Sequence, residues 1–431
     1  MPLLPAAHPP SPSLRRRDAL LLPGALALGS PALATGPVRT LTVAAFPAID
    51  QIVRGAIPAW QARHPQIELK VVSRRASDHH VAMTTALSSQ SNLPDLFAVE
   101  ADYVGRFSLG SGLEDLRRAP FGIEALRPRL VPFALAQATN PRGEIVSVPT
   151  DIGPGTLLYR TDLLARAKLT EPDLVTTWDG YIEAGRRIKA ATGAYLLAHA
   201  RDIKDILIRA GVTPGDGIYF GRDNSVRVNT PHYARTFELA RTVRRAGLDA
   251  KVGSWSSDWS EGFRRGGIAT QMMGAWLAGH LNNWLAPGTR GQWRAAQLPE
   301  GAYAAYGGTF YAIPRASNPA TKALAWELAT MLTTDRTLQL AAFRQHDAFP
   351  AAVETYTDPF FEQPIPFLGG QPARTVWREA AQRITAPTMH KQDRFAEEVI
   401  NTELDKVLLR GKDIPSALGD AERLLKQRAK R

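Results

Sequence analysis

Apolar positions along this chain follow two periods, one typical of strands and one typical of helices. Continuous apolar runs of strand length cover residues 41–46 and 67–72. Between these runs, apolar side chains recur at the spacing of one helix face, at Ile52, Val53, Ala56, Ile57 and Trp60. Pro58 is expected to kink this helix, and His64 with Pro65 to end it. The order strand, helix, strand predicts parallel pairing through a right-handed crossover.

The same alternation continues along the rest of the chain. A helix is expected near residues 80–87, and it leads to a predicted strand over residues 95–99. Helical spacing then covers four longer stretches, at residues 178–191, 231–247, 320–333 and 395–409. Thr230 is in position to cap the second of these helices, which begins with Pro231 and is expected to close at Gly247. Helices that alternate with short strands predict a doubly wound α/β fold with a second α/β lobe.

Residues 143–163, GEIVSVPTDIGPGTLLYRTDL, hold two apolar runs of strand character. Between the runs, residues 149–155 combine two prolines with two glycines, and we expect the chain to bend there. Asp151 would then lie at the tip of two strands. One interpretation is an ordinary hairpin with a solvated carboxylate, and the other is a carboxylate that faces a cleft.

Composition narrows the class of protein. A chain of 431 residues is long enough for two domains with a substantial core. It contains no cysteine, which excludes a disulfide framework, thiol catalysis and a cysteine metal site. The formal net charge is +11, but the basic residues are scattered, and no aromatic–basic module for nucleic acid is present. Beyond the N-terminus, no apolar run reaches the length of a membrane span.

Residues 1–34 have the pattern of an export signal. Arginines at positions 15–17 precede an apolar stretch at residues 19–28, and Ala32, Leu33 and Ala34 form an A-x-A cleavage site. The paired arginines also fit a twin-arginine signal, except that Ala19 stands where phenylalanine is usual, so the export route stays open. Because no cysteine is available for a lipid anchor, we expect retention in a Gram-negative-type periplasm.

Five motifs follow one another in a fixed order along the chain: Leu93-Pro94-Asp95-Leu96, Tyr159-Arg160-Thr161-Asp162-Leu163, Thr177-Trp178-Asp179, the segment from Gly266 to Trp276, and Gly307-Gly308 ahead of Ala312-Ile313. In this order they resemble the extracellular solute-binding proteins of family 1, the maltose-binding-protein-like sugar-binding components of ABC importers. One departure is Arg160, which stands where the family's motif has asparagine.

The resemblance implies a two-lobed periplasmic binding protein fold in which each lobe is a sheet flanked by helices. The chain would cross between the lobes about three times, near residues 149–155, 306–312 and 349–356. Lobe 1 would consist of residues 35–150 and 307–350, and lobe 2 of residues 151–306 and 351–431.

Candidate ligand-binding residues come from the fold and from the aromatic residues. In open α/β sheets, ligands bind beyond the carboxyl ends of the strands, and this rule selects Phe46, Glu100 and Asp102. Indole rings can stack on apolar sugar faces, and five of the nine tryptophans lie between residues 255 and 293. Trp276 matches a tryptophan of the family's motif, so the resemblance implies ligand contact there. The role of Trp255 is open, whereas Trp284 and Trp293 are expected in the core.

Three further positions are open between ligand contact and a structural role. Gly307 and Gly308 either let backbone amides approach a ligand or form a β-bulge. His346 either lines the cleft near the third crossing or lies in a surface loop. The complete set of predicted ligand-binding residues is Phe46, Glu100, Asp102, Asp151, Trp255, Trp276, Gly307, Gly308 and His346.

Together these features predict a monomeric carbohydrate-binding protein that partners the membrane permease of an ABC importer, with no cofactor, metal or catalytic residue. The adjacent His79 and His80 point in different directions from one helix, so no metal site is expected there. Two alternatives stay open. One is a binding protein for a phosphorylated polyol such as a glycerol phosphodiester, and the other is a secreted carbohydrate-active enzyme that uses two distant carboxylates.

Overall fold

The computed structural model describes residues 40–108, 110, 112–140, 142–385 and 387–429. The predicted export signal over residues 1–34 lies outside them. The described residues contain seven strands: β1 (Thr40–Ala45), β2 (Glu68–Ser73), β3 (Leu96–Glu100), β4 (Val148–Arg160), β5 (Thr270–Gly274), β6 (Trp293–Ala296) and β7 (Ala305–Ala312). Their order across the sheet is β2-β1-β3-β7-β4-β5, and β6 pairs with β4 off this path.

The N-terminal part confirms the predicted strand, helix, strand unit. β1 pairs in parallel with both β2 and β3. The helical stretch between β1 and β2 is divided at Ala56 into α1 (Ile49–Gly55) and α2 (Ile57–Arg63). Pro58 explains the division, because it lies in the first turn of α2, where its missing N–H has no intrahelical partner to lose.

The described residues contain fifteen further α-helices: α3 (Ala76–Ser89), α4 (Ala101–Ser108), α5 (Pro132–Gln137), α6 (Thr161–Arg166), α7 (Glu171–Val175), α8 (Trp178–Thr192), α9 (Arg201–Ala210), α10 (Pro231–Arg245), α11 (Ser257–Arg264), α12 (Leu277–His280), α13 (Lys322–Thr334), α14 (Arg336–His346), α15 (Arg374–Arg383), α16 (Asp393–Arg410) and α17 (Ile414–Ala429). One π-helical segment, Leu281–Leu285, follows α12. Short 3-10 helices are Ile123–Arg129, Pro287–Thr289, Pro299–Gly301, Pro319–Thr321, Val353–Thr357, Pro359–Glu362 and Pro366–Leu368.

The four long helices predicted from spacing are confirmed as α8, α10, α13 and α16. In α10 the Thr230 hydroxyl accepts the backbone N–H of Tyr233, and Gly247 follows the helix with a φ of 63°. Among the described helices, none is both long and apolar enough to cross a membrane.

The segment expected to bend at residues 149–155 is part of one long strand, β4, so the hairpin interpretation is wrong. The first half of β4 pairs with β7, and the second half pairs with β5 and β6. Register shifts between Pro149 and Asp151, and between Ile152 and Pro154, interrupt the β4–β7 ladder. Because proline has no N–H to donate, it produces irregularities within the strand here rather than a turn.

Buried apolar side chains form two clusters. The first surrounds β1, β3 and β7, and the second lies among α8, α9, α10, α16 and α17. Phe361 and Trp377 pack in the first cluster, although they follow residue 350. The lobe boundaries at residues 150, 306 and 350 stay a prediction.

Candidate functional site

Two of the predicted carboxylates lie in one row across three strands. Glu100, at the end of β3, pairs with Thr309 of β7, and Thr309 pairs with Asp151 of β4. Directly paired residues project from the same face of a sheet, so Glu100 and Asp151 lie on either side of Thr309. Asp151 Oδ1 is buried and has no hydrogen-bond partner within the protein. We call Glu100, Thr309 and Asp151 the carboxyl row.

The environment of the carboxyl row raises the pKa of both carboxyl groups. Burial raises the pKa of Glu100 to about 7, and the negative charges of Asp102 and Asp151 raise it further. Burial also raises the pKa of Asp151 to about 6, while hydrogen bonds from Thr309 oppose that rise. Near neutral pH Glu100 can therefore either donate or accept a hydrogen bond, whereas Asp151 mainly accepts.

A glycine pair brings Trp276 close to the carboxyl row. The indole Nε1 of Trp276 donates to the Tyr306 carbonyl oxygen at 3.0 Å. Gly307 and Gly308 have φ angles of 88° and 120°, which side-chain-bearing residues rarely adopt. A Cβ on Gly307 would lie 3.0 Å from Trp276 Nε1, and a Cβ on Gly308 would lie 3.0 Å from the Asp151 carbonyl oxygen. The adjacent register shift supports the bulge interpretation of this pair; a role in ligand contact stays a prediction.

Trp255 lies beside Trp276, and the two indole planes are nearly parallel. Their ring centroids are 5.9 Å apart at an angle of 16°. Trp255 also neighbours Trp284, which is 51% exposed, so the expectation that Trp284 is a core residue is wrong. Trp293 is fully buried, as expected. The aromatic platform that Trp276 provides therefore extends to Trp255 and Trp284.

Asp102 lies on α4 and is about half exposed. Its Oδ1 is 4.0 Å from a guanidinium nitrogen of Arg209, a buried residue of α9. The Arg209 guanidinium also lies 4.6 Å from the centre of the Tyr306 ring. Arg209 thus connects α9 with α4 and with the start of the glycine pair.

The other two predicted residues are Phe46, which directly follows β1, and His346, which ends α14. Phe46 is only 7% exposed and packs against the rings of His79 and His80, with centroids 5.5 and 5.6 Å away. His346 ends α14 and is partly buried, and burial lowers its pKa while the negative charge of Asp50 opposes that effect. Ligand contact by Phe46 and His346 stays a prediction, and the low exposure of Phe46 favours a supporting role.

A polar cavity of about 240 Å³ adjoins α12, the helix that follows Trp276. Asn282, Asp347 and Arg374 contribute polar groups to its lining. Asp347 approaches α12 so closely that a Cβ on Gly279 would collide with its carboxylate. The helix that follows Trp276 therefore borders a cavity that contains hydrogen-bonding side chains.

Sequence reasoning missed Arg209, Tyr306 and Thr309. A signal for the first was present, because Asp202, Lys204, Asp205 and Arg209 place four charges among isoleucines and leucines of one helix. Tyr306 and Thr309 could not be identified from the sequence, because their place in the site depends on how β7 pairs with β3 and β4. Within the described residues, no group of three or more His, Cys, Asp or Glu side chains is arranged to hold a metal ion.

Comparisons with known proteins identify the family of this chain. Residues 43–338 match the family described as bacterial extracellular solute-binding protein. The lactose-binding protein of Rhizobium radiobacter is 28% identical over 346 residues, which cover 77% of this chain and 78% of that protein. The arabinooligosaccharide-binding protein of Bacillus subtilis (strain 168) is 24% identical over 279 residues, which cover 62% of this chain and 63% of that protein.

A solved structure described as an extracellular solute-binding protein family 1 has a TM-score of 0.79 and 25% identity to this chain. The match covers 91% of this chain and all (100%) of that one. The chain has the two-lobed α/β fold of periplasmic binding proteins, and members of the matched family are binding proteins rather than enzymes. The protein belongs to the bacterial extracellular solute-binding protein family.

Proposed function

We propose that this protein binds a sugar or oligosaccharide in the periplasm and delivers it to the permease of an ABC importer. The observation that carries the proposal is the placement of an indole, Trp276, and two carboxyl groups, Glu100 and Asp151, around one glycine pair. A pyranose ring has an apolar face that suits an aromatic plane and hydroxyls that need polar partners. The names of the two relatives, which bind lactose and arabinooligosaccharides, support the same ligand class.

The charges around the site favour a neutral ligand over a phosphorylated polyol. Glu100, Asp102 and Asp151 bring three carboxyl groups together, and a phosphate there would meet like charges. One nearby cation, Arg209, is already engaged by Asp102 and the Tyr306 ring. A phosphodiester would have to displace these contacts.

Ligand binding would favour a closed arrangement of the two lobes. Support comes from two contacts of α4. Its Asp102 lies near Arg209 of α9, and its Gly105 packs closely against the backbone of His390. A ligand that contacts both sides stabilises the closed state by its differential affinity for that state. Small-angle scattering should show a smaller radius of gyration with sugar, and an unchanged radius at saturation would contradict closure.

Export and maturation are the remaining parts of the proposal. Cleavage after Ala34 would give a mature N-terminus at Thr35 in the periplasm, by the general or the twin-arginine route. The mature protein is proposed to act as a monomer. Mass spectrometry of the periplasmic fraction should find this N-terminus, and an intact leader on cytoplasmic protein would contradict the localisation.

A thermal-shift panel tests the ligand class. Galactose, lactose, arabinose and arabinooligosaccharides are compared with glycerophosphodiesters, because a ligand that binds only the native state raises its apparent stability. A sugar should raise the melting temperature and be recovered unchanged. A response to phosphodiesters alone would support the polyol alternative, and release of a hydrolysis product would support the enzyme alternative.

A further inference from the structure

Two half-exposed tryptophans continue the aromatic surface that begins at Trp276. Trp255 lies between Trp276 and Trp284, with ring centroids 5.9 and 6.4 Å away and planes inclined by 16° and 21°. Trp255 is 53% exposed and Trp284 is 51% exposed. We call Trp276, Trp255 and Trp284 the tryptophan row, which leads from the candidate site to solvent.

Both outer tryptophans are held by unusual backbone. Trp255 has a φ of 70°, a region that bulky residues avoid because of steric strain. Trp284 lies in the π-helical segment Leu281–Leu285, and such segments occur frequently at functional sites. Since solvent-exposed indoles do not need such backbone for packing, these two features point to a functional reason for their placement.

One histidine contacts all three indoles of the row. The His280 ring lies edge-on to all three indoles, with centroids between 5.4 and 5.9 Å away. Its Nδ1 accepts the Nε1–H of Trp284 at 3.0 Å. Burial lowers the pKa of His280, so the ring is neutral at pH 7 and keeps this acceptor. The row is therefore a preorganised surface, which reduces the entropy lost on binding.

The surroundings of the row fit a carbohydrate better than a lipid surface. Asn282 and Asn283 directly precede Trp284, the Asn282 amide donates to the Asn283 side-chain oxygen, and Asn283 is exposed. Aromatic faces with amides at their rim match a sugar ring with its hydroxyls. The row is also continuous with Trp276, the indole of the candidate site.

We propose that Trp255 and Trp284 form an outer subsite that stacks on a second or third unit of an oligosaccharide whose first unit lies at Trp276. This inference rests on the proposed function and extends it, because it makes chain length a property that the protein recognises. Monosaccharides would contact only the inner part of the row.

Calorimetric titration with two ligand series tests the outer subsite: arabinose, arabinobiose and arabinotriose, and galactose with lactose. The wild type should bind the longer members of at least one series more tightly. Trp284→Ala should weaken binding of those longer members by about fivefold or more, and leave monosaccharide affinity within about twofold. Trp255→Gly, which suits the positive φ, should also weaken binding of the longer members. Trp326→Ala, which removes a partly buried tryptophan of α13, is the matched control and should change neither.

The outcomes separate this inference from the proposed function. Equal loss at every chain length, no loss in either variant, or no length preference in the wild type would overturn the outer subsite while leaving sugar binding intact. Binding of no sugar by the wild type would overturn the proposed function and the subsite with it. If Trp284→Ala changes only sedimentation with phosphatidylglycerol vesicles, the row is a membrane-facing surface and the inference is wrong.

Discussion

Asp151→Asn should stabilise the ligand-free protein and weaken sugar binding. The Asp151 Oδ1 in the carboxyl row is buried and has no hydrogen-bond partner within the protein. Asparagine has the same shape and keeps an acceptor for Thr309, but it carries no charge to desolvate. If the main role of Asp151 were to stabilise the fold, its replacement would lower the free energy of unfolding.

The magnitude follows from the pKa of Asp151, which burial raises from 3.8 to about 6. Ionising this group in the folded protein therefore costs about 3 kcal/mol more than in the unfolded chain, at about 1.4 kcal/mol per pKa unit. Because the folded pKa is the higher one, the cost is absent below pH 3.8 and fully present above pH 6. Asp151→Asn should raise the free energy of unfolding by about 1–3 kcal/mol at pH 7, and by almost nothing near pH 4.

Urea unfolding of the ligand-free protein at pH 4 and pH 7 measures this difference. Asp115→Asn is the matched control, because hydrogen bonds from Arg117 lower the pKa of that buried carboxylate and its loss should destabilise the protein at pH 7. Calorimetry with the identified sugar should show about tenfold weaker binding to Asp151→Asn. Destabilisation by Asp151→Asn at pH 7, or wild-type affinity, would refute the reasoning.

Three further substitutions probe the rest of the site. Trp276→Ala should weaken sugar binding about tenfold or more in calorimetry, and wild-type affinity would show that the platform lies elsewhere. Gly308→Ala should lower the free energy of unfolding by about 1–2 kcal/mol in urea, because alanine must adopt a φ of 120° against the Asp151 carbonyl; an unchanged value would contradict that strain. Arg209→Met should destabilise the protein by about 1–2 kcal/mol and reduce the sugar-induced change in radius of gyration; a normal closure would exclude a linking role.

Local signals in the sequence predicted the regular elements well. The parallel pairing of β1 with β2 follows from apolar runs on either side of a helical stripe, and α10 begins at the Thr230–Pro231 cap. The structural role of Arg160 could not be predicted from the sequence. It is buried, pairs with Asp162 at 2.8 Å and donates to the Phe263 carbonyl oxygen, so it is an internal brace.

The errors arose where long-range pairing decides the conformation. Proline and glycine in residues 149–155 indicated a turn, but pairing with β7, β5 and β6 holds them in one strand. Trp284 was expected inside, but Leu281 and Leu285 fill the core face of the π-helical segment and leave the indole outside. The carboxyl row depends on the register of β7 between β3 and β4, which no local pattern encodes.

A crystal structure of the mature protein with the sugar that raises its melting temperature most tests the central claim directly. We expect a sugar ring against the Trp276 indole, with hydroxyls within hydrogen-bond distance of Glu100 or Asp151. A sugar bound elsewhere, for example in the cavity of about 420 Å³ lined by Phe220 and His390, with the carboxyl row empty, would contradict the account.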